Sequence, residues 1–190
     1  MNTIQHLAAA AALAFSSLAA QAAPVVVDVA GAQSINLQGE SGNTVLLIDV
    51  GAHAVLNSLS WAVELSAVAP SLLSELQVSF SGFTAPDAIT LTPDAFDGYS
   101  GAGSYAGSID LAAWALAMGA EGLLRIEFSE AYKDFATGVA EGQWLRGQLT
   151  LDFAAAAVPE PASTALALLA LGLAGLQTRR AGKPSRPPGS

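Results

Sequence analysis

An all-β, antiparallel sandwich is the fold class that residues 23–157 predict, and three observations carry it. Apolar and polar residues alternate with a period of two over several segments, the pattern of strands buried on one face. Clusters of Gly, Pro, Ser and Asn separate those segments. Helical spacing is confined to two short stretches, Leu111–Met118 and Glu130–Phe135, each enough for a turn, and no longer unit recurs along the chain.

Val25–Val29 and Ile35–Leu37 read as short strands, followed by the turn residues Gly39-Glu40-Ser41-Gly42-Asn43. Thr44–Val50 is an almost unbroken apolar run, as expected of a central strand. The clearest alternation spans Val55–Val68: Val55, Asn57, Leu59, Trp61, Val63 and Leu65 occupy one phase, against Ser58, Ser60, Glu64 and Ser66 on the other. That phase predicts Trp61 in the core. Beyond Pro70-Ser71, Leu76, Val78 and Phe80 alternate with Gln77, Ser79 and Ser81 until Gly82, and Ile89 and Leu91 mark a short strand closed by Pro93. Tyr105, Gly107, Ile109 and Leu111 then alternate with Ser104, Ala106, Ser108 and Asp110, and Leu124, Ile126 and Phe128 oppose Arg125 and Glu127. The last strand sets Leu145, Leu149, Leu151 and Phe153 against Arg146, Gln148, Thr150 and Asp152, which leaves Trp144 on the polar phase, either exposed or at a bulge. Eight or nine such strands suit a β-sandwich of jelly-roll-like form.

Between residues 23 and 157 there are 15 acids and three bases, Arg125, Lys133 and Arg146, a net charge of about −12. Nucleic acid is thereby an unsuitable partner, and a polyanionic polysaccharide is repelled unless divalent cations bridge it. The chain has no cysteine, which excludes disulfides, thiol nucleophiles and Cys-ligated metals.

The two ends differ from this body. Leu7–Ala20 is apolar, and Ala20-Gln21-Ala22 is a small-x-small site, so residues 1–22 read as a helical secretory signal peptide. Cleavage between Ala22 and Ala23 is expected, because a cut one residue later would place Pro24 just beyond the bond. The partners this implies are the Sec export machinery and signal peptidase. At the other end, Val158-Pro159-Glu160-Pro161 precedes an uncharged run, Ala162–Leu176, and then Arg179-Arg180. As a helix that run would measure about 22 Å, short for a hydrocarbon core of about 30 Å, but local thinning and the long arginine stems can make up the difference. A single transmembrane helix over 162–176 is therefore predicted, followed by a basic, Pro-rich tail, 181–190. The basic cluster Arg179, Arg180, Lys183 and Arg186 keeps that tail in the cytoplasm and puts the body outside.

A Pro-Glu-Pro motif, an adjoining apolar helix and an Arg-rich end in a chain that starts with a signal peptide resemble the PEP-CTERM sorting signal. The resemblance covers residues 158–180 and rests on Val158, Pro159, Glu160, Pro161, the apolar run, Arg179 and Arg180. It implies recognition and processing by an integral-membrane exosortase, in a Gram-negative bacterium that makes extracellular polysaccharide. It further implies transient anchoring in the inner membrane with the body in the periplasm, and then delivery to the cell surface or extracellular matrix.

Within the body, chemistry-bearing residues are sparse. His53 is the only histidine after residue 22, so neither a His-rich metal site nor a Cys–His nucleophile can be assembled. Gly98-Tyr99-Ser100-Gly101-Ala102-Gly103 lacks the following helix that a phosphate loop needs. Asp94 and Asp97, two carboxylates in a turn, are candidate Ca²⁺ ligands, though Asp-Gly is equally a common turn. Tyr99 and Tyr105 beside them are candidate sugar-stacking aromatics, the plainer alternative being packing on a sheet edge; Trp114 is ambiguous in the same way. A carboxylate pair for glycoside hydrolysis would have to come from Glu127, Glu130, Asp134 and Glu141, which as surface acids are more simply a solvated face. With no catalytic constellation recognisable, the body is expected to be structural or binding rather than enzymatic, with no obligate cofactor. A secreted glycan-active enzyme and a Ca²⁺-dependent adhesion or carbohydrate-binding module are the alternatives.

Overall fold

The computed structural model describes residues 23–84, 87–94 and 96–154. The expected signal peptide (1–22), the sorting motif, the transmembrane helix (162–176) and the basic tail lie outside the described residues. No helix among the described residues is long and apolar enough to cross a membrane.

Nine strands account for the regular structure: β1 Val25–Asp28, β2 Gln33–Ser34, β3 Thr44–Asp49, β4 Val55–Ala67, β5 Leu76–Gly82, β6 Ala88–Leu91, β7 Gly101–Asp110, β8 Leu123–Glu130 and β9 Gly142–Ala154. All pair antiparallel. One sheet runs β1-β9-β4-β7, with β2 added beside β9, and the other runs β3-β8-β5-β6. Apart from β1–β2 and the β5–β6 hairpin, successive strands change sheets, and the two strand orders are those of a jelly roll. Leu59, Val63, Leu149 and Leu151 of the first sheet share one buried cluster with Val78, Phe80, Ile126 and Phe128 of the second. Trp144 and Phe128 meet across it edge to face, with ring centroids 5.0 Å apart.

Several expectations are corrected. β3 is an edge strand, with Val45 and Leu47 exposed on its outer face, so its apolar run does not mark burial on both sides. The strand expected at Ile35–Leu37 is replaced by β2, two residues earlier, and only Leu37 forms an isolated bridge, to Glu130. A 3₁₀ turn occupies Ala112–Trp114 within the first predicted helical stretch, whereas the second is the end of β8 and a loop. Trp61 lies on the core phase with Leu59, Val63 and Leu65 but is only half-buried. Its ring covers Gly107 of the edge strand, where a Cβ would stand 2.5 Å from it.

Two bulges explain the phase errors. In β4 the register with β9 slips between Leu56 and Ser58, which turns Leu56 into the core and Asn57 partly out. In β9 it slips between Trp144 and Arg146, so Leu145 is 37 % exposed and Trp144 is fully buried. Gly147 makes the second bulge possible: its φ is +115°, and a Cβ there would strike the Ala62 carbonyl of β4.

Candidate functional site

The loop between β6 and β7 brings Asp94, Asp97, Tyr99 and Tyr105 together. Asp94 is buried, and its carboxylate accepts the Phe96 N–H (3.2 Å) and the Asp97 N–H (3.0 Å). Tyr105 donates its hydroxyl to Asp97 at 2.9 Å. Burial, then hydrogen bonding to Tyr99 and Asp97, raises the Tyr105 hydroxyl above its usual range and keeps it protonated. The loop is also tied to the 3₁₀ turn Leu73–Glu75: Leu73 N–H donates to the Tyr99 carbonyl (3.0 Å), and Ser100 donates its hydroxyl to the Ser71 carbonyl (2.9 Å).

Asp94 and Asp97 therefore stitch their own loop in this geometry, and the Tyr105 ring lies over Gly103 rather than facing solvent. Tyr99 remains 48 % exposed, beside Phe96 at 94 %. Phe96 was missed in the sequence because it belongs to no alternating segment. The available signal was that a Phe between Asp94 and Gly98 has no strand to carry it into the core. Trp114 is likewise displayed, 61 % exposed on its 3₁₀ turn, and His53 is exposed in the turn before β4, at φ +59°.

A second group forms where β8 ends. Glu130 continues the inward row Leu124, Ile126, Phe128, is 1 % exposed, and has no hydrogen-bond partner on either carboxyl oxygen. Burial first, then Glu141 and Glu75, pushes its pKa up to about 9. Glu141, also buried, is ion-paired with Lys133 and accepts the Asp134 (2.9 Å) and Phe135 (3.0 Å) amides. Burial opposes its charge, but Lys133 and those amides prevail and hold it below the ordinary carboxylate range. Glu75, which the sequence reading did not single out, accepts the Leu72 N–H (2.8 Å) and the Ser71 hydroxyl (3.1 Å).

Three of the four proposed hydrolytic acids, Glu130, Asp134 and Glu141, thus influence one another, while Glu127 stands apart on the opposite face of β8. There the β2–β3 loop covers it: Glu127 accepts the Gly39 N–H and the Asn43 amide, each at 2.8 Å, and pairs with Arg125 at 2.6 Å. Burial opposes its ionisation too, yet Arg125, Asn43 and Gly39 together lower its pKa. A raised carboxyl beside a lowered one is the electrostatic pattern of an acid–base pair. Glu130, however, is closed off from solvent. The shallow depression of about 380 Å³ over the first sheet is lined elsewhere, by Ala62, Glu64, Ser104, Ala106 and Arg146 among others. Among the described residues no three acidic or histidine side chains converge as metal ligands.

The residues with an assigned role are outside the body. Residues 157–181 match the PEP-CTERM protein-sorting motif. The chain carries a PEP-CTERM sorting tail. That tail marks it as an exosortase-sorted exported protein. No curated protein matches the chain. Among solved structures, a chain of infectious bursal disease virus, Gt strain, is similar with a TM-score of 0.39 and 15 % identity over 73 % of this chain and 34 % of its own. Dimeric latent PorU from Porphyromonas gingivalis gives 0.34 and 10 %, over 74 % and 14 %. Tomato aspermy virus gives 0.29 and 9 %, over 85 % and 97 %. This chain spans about a third of the length of the bursal disease virus chain. Likeness at this level does not extend to activity.

Proposed function

We propose that this is a non-enzymatic surface or extracellular-matrix protein of a polysaccharide-producing Gram-negative bacterium. In this reading the Sec machinery exports it, signal peptidase cuts after Ala22, and the helix at 162–176 holds it in the inner membrane with the body in the periplasm. Exosortase then releases it through Pro159-Glu160-Pro161. The observation that carries the reading is the PEP-CTERM motif at 157–181. A structural or binding role for the body is supported by the state of its acids: Asp94, Asp97, Glu127 and Glu141 are engaged with their own chain, and Glu130 is sealed in. Phe96 and Tyr99, exposed three residues apart on the candidate loop, offer aromatic faces for stacking on a sugar ring.

The test is to incubate the exported protein with the polysaccharide of its own host. Co-sedimentation without new reducing ends, weakened by Phe96→Ala/Tyr99→Ala, is the expected result for a binding module. Release of reducing ends would establish a glycan-active enzyme instead. A Ca²⁺-dependent rise in melting temperature abolished by Asp94→Ala/Asp97→Ala would establish a Ca²⁺ module.

A further inference from the structure

The sheet edges of the body are not alike. β1 and β6 are four residues long and β3 is six, whereas β7, the outer strand of the first sheet, is ten. Its pairing with β4 runs unbroken from Ser58↔Asp110 to Ala67↔Gly101, without a bulge. The bond from Leu111 N–H to the Asn57 carbonyl (2.7 Å) fixes the phase of this ladder. Because antiparallel pairs alternate, the odd residues of β7 direct their backbone groups at β4, while Ala102, Ser104, Ala106 and Ser108 direct theirs outward. Among the described residues none of those outward groups has a partner.

Proteins usually blunt such an edge with Lys, Pro, a bulge or a covering loop. From Gly101 to Ile109 this strand has neither charge nor proline. Its outward residues carry only Ala and Ser side chains, all exposed. On its other face, Gly103 and Gly107 are covered by Tyr105 and Trp61 of the same chain.

We infer that β7 pairs antiparallel with β7 of a second copy of this chain, joining the two first sheets into one. Strand addition selects a foreign peptide through separate pockets for its alternate side chains, whereas the hollow beside this edge is one shallow depression that Ser104 and Ala106 share with Ala62, Glu64 and Arg146 of the inner strands. A two-fold-related copy, by contrast, brings the same small residues into register: with the axis at Tyr105, Ala102 faces Ser108 and Ser104 faces Ala106, each outward residue meeting an outward one. Charge favours the same geometry. A body of about −12 repels its own kind, and the repulsion is least along a strand with no charged side chain.

The chain has no cysteine of its own, so a single introduced cysteine in the full chain reports contacts between copies. In the paired sheet two Ser104 positions lie about 8 Å apart, and two Gln148 positions, on β9, about 24 Å apart, from strand spacing alone. A short bis-maleimide should therefore link Ser104→Cys into a covalent dimer and leave Gln148→Cys monomeric. Adding Ala106→Pro removes one outward N–H without touching the β4 ladder, and should abolish the cross-link while the near-ultraviolet dichroism of buried Trp144 is retained. Ser104→Lys, tested by the mass of the native assembly, should do the same through charge. The inference is overturned if Ser104→Cys stays monomeric, if Gln148→Cys links as well, or if both edge variants remain dimeric.

Discussion

Trp144 and Glu130 face the same core and act on stability in opposite ways. Trp144 is fully buried against Phe128, so Trp144→Ala should cost about 3–5 kcal/mol in denaturant unfolding. Trp61→Ala should cost less, because that ring is only partly buried and lies over Gly107 of the edge strand; equal losses would contradict this burial difference. Glu130 keeps its proton up to about pH 9 when folded, against an ordinary value of 4.5. Unfolding therefore releases a proton throughout that interval, and stability falls as pH rises across it, by up to about 1.4 kcal/mol per pH unit. Below the interval both states are protonated, and Glu130 exerts no pH dependence. Glu127 and Glu141, whose pKa values are lowered, act on the acid side: their contribution is lost as pH falls below the ordinary carboxylate range. Glu130→Gln should flatten the decline between pH 5 and 9 and leave the acid limb in place. An unchanged slope would show that Glu130 is ionised in the folded chain.

At the scale of elements, the alternating pattern made β4, β5, β8 and β9 legible, because each sends a row of side chains into the core, and β7 legible because its Tyr105 phase is half-buried while the other phase is exposed. It failed where the backbone breaks period. The sequence left Trp144 exposed or at a bulge, and the bulge at Leu145 decides it, since one unpaired residue inverts every side chain beyond it. Asn57 does the same at the start of β4. No residue type at Leu145 announces a bulge. The signal is two residues on, in Gly147, whose positive φ and contact with the Ala62 carbonyl no other residue accommodates. Gly147→Ala should accordingly cost more than the ~1 kcal/mol that an unstrained exchange of this kind can yield, read as a drop in denaturant midpoint. A neutral result would mean that β9 and β4 approach less closely than this. The candidate loop was legible as a group of four residues, because Asp94, Asp97 and Tyr99 are neighbours in sequence. That Tyr105 turns inward and Phe96 outward was not, for it depends on Gly103 leaving room for the Tyr105 ring.

On the scale of the whole molecule, the tail and the body are read by different physics. The sorting motif was recognisable in the sequence because its function resides in a short, linear order of Pro, Glu, apolar residues and Arg that needs no fold around it. The body's role is tied to surfaces that only the three-dimensional arrangement creates. The sharpest prediction therefore concerns the tail. Pro159 and Pro161 each lack a backbone N–H and drive the preceding residue to extended conformations, so a helix entering the membrane is expected to begin at or after Pro161, with Glu160 held on a stiff, accessible segment in front of it. The apolar run Ala162–Leu176 is short and Ala-rich for a permanent anchor. Release is then the expected fate in a cell with an exosortase: intact-mass measurement should find the exported protein without the residues after about Pro161. Replacing Pro159-Glu160-Pro161 by three alanines should extend the expected helix backward and leave the protein in the inner membrane. An exported species that still carries Arg179 to Ser190 in an exosortase-competent cell would reduce the tail to an ordinary anchor.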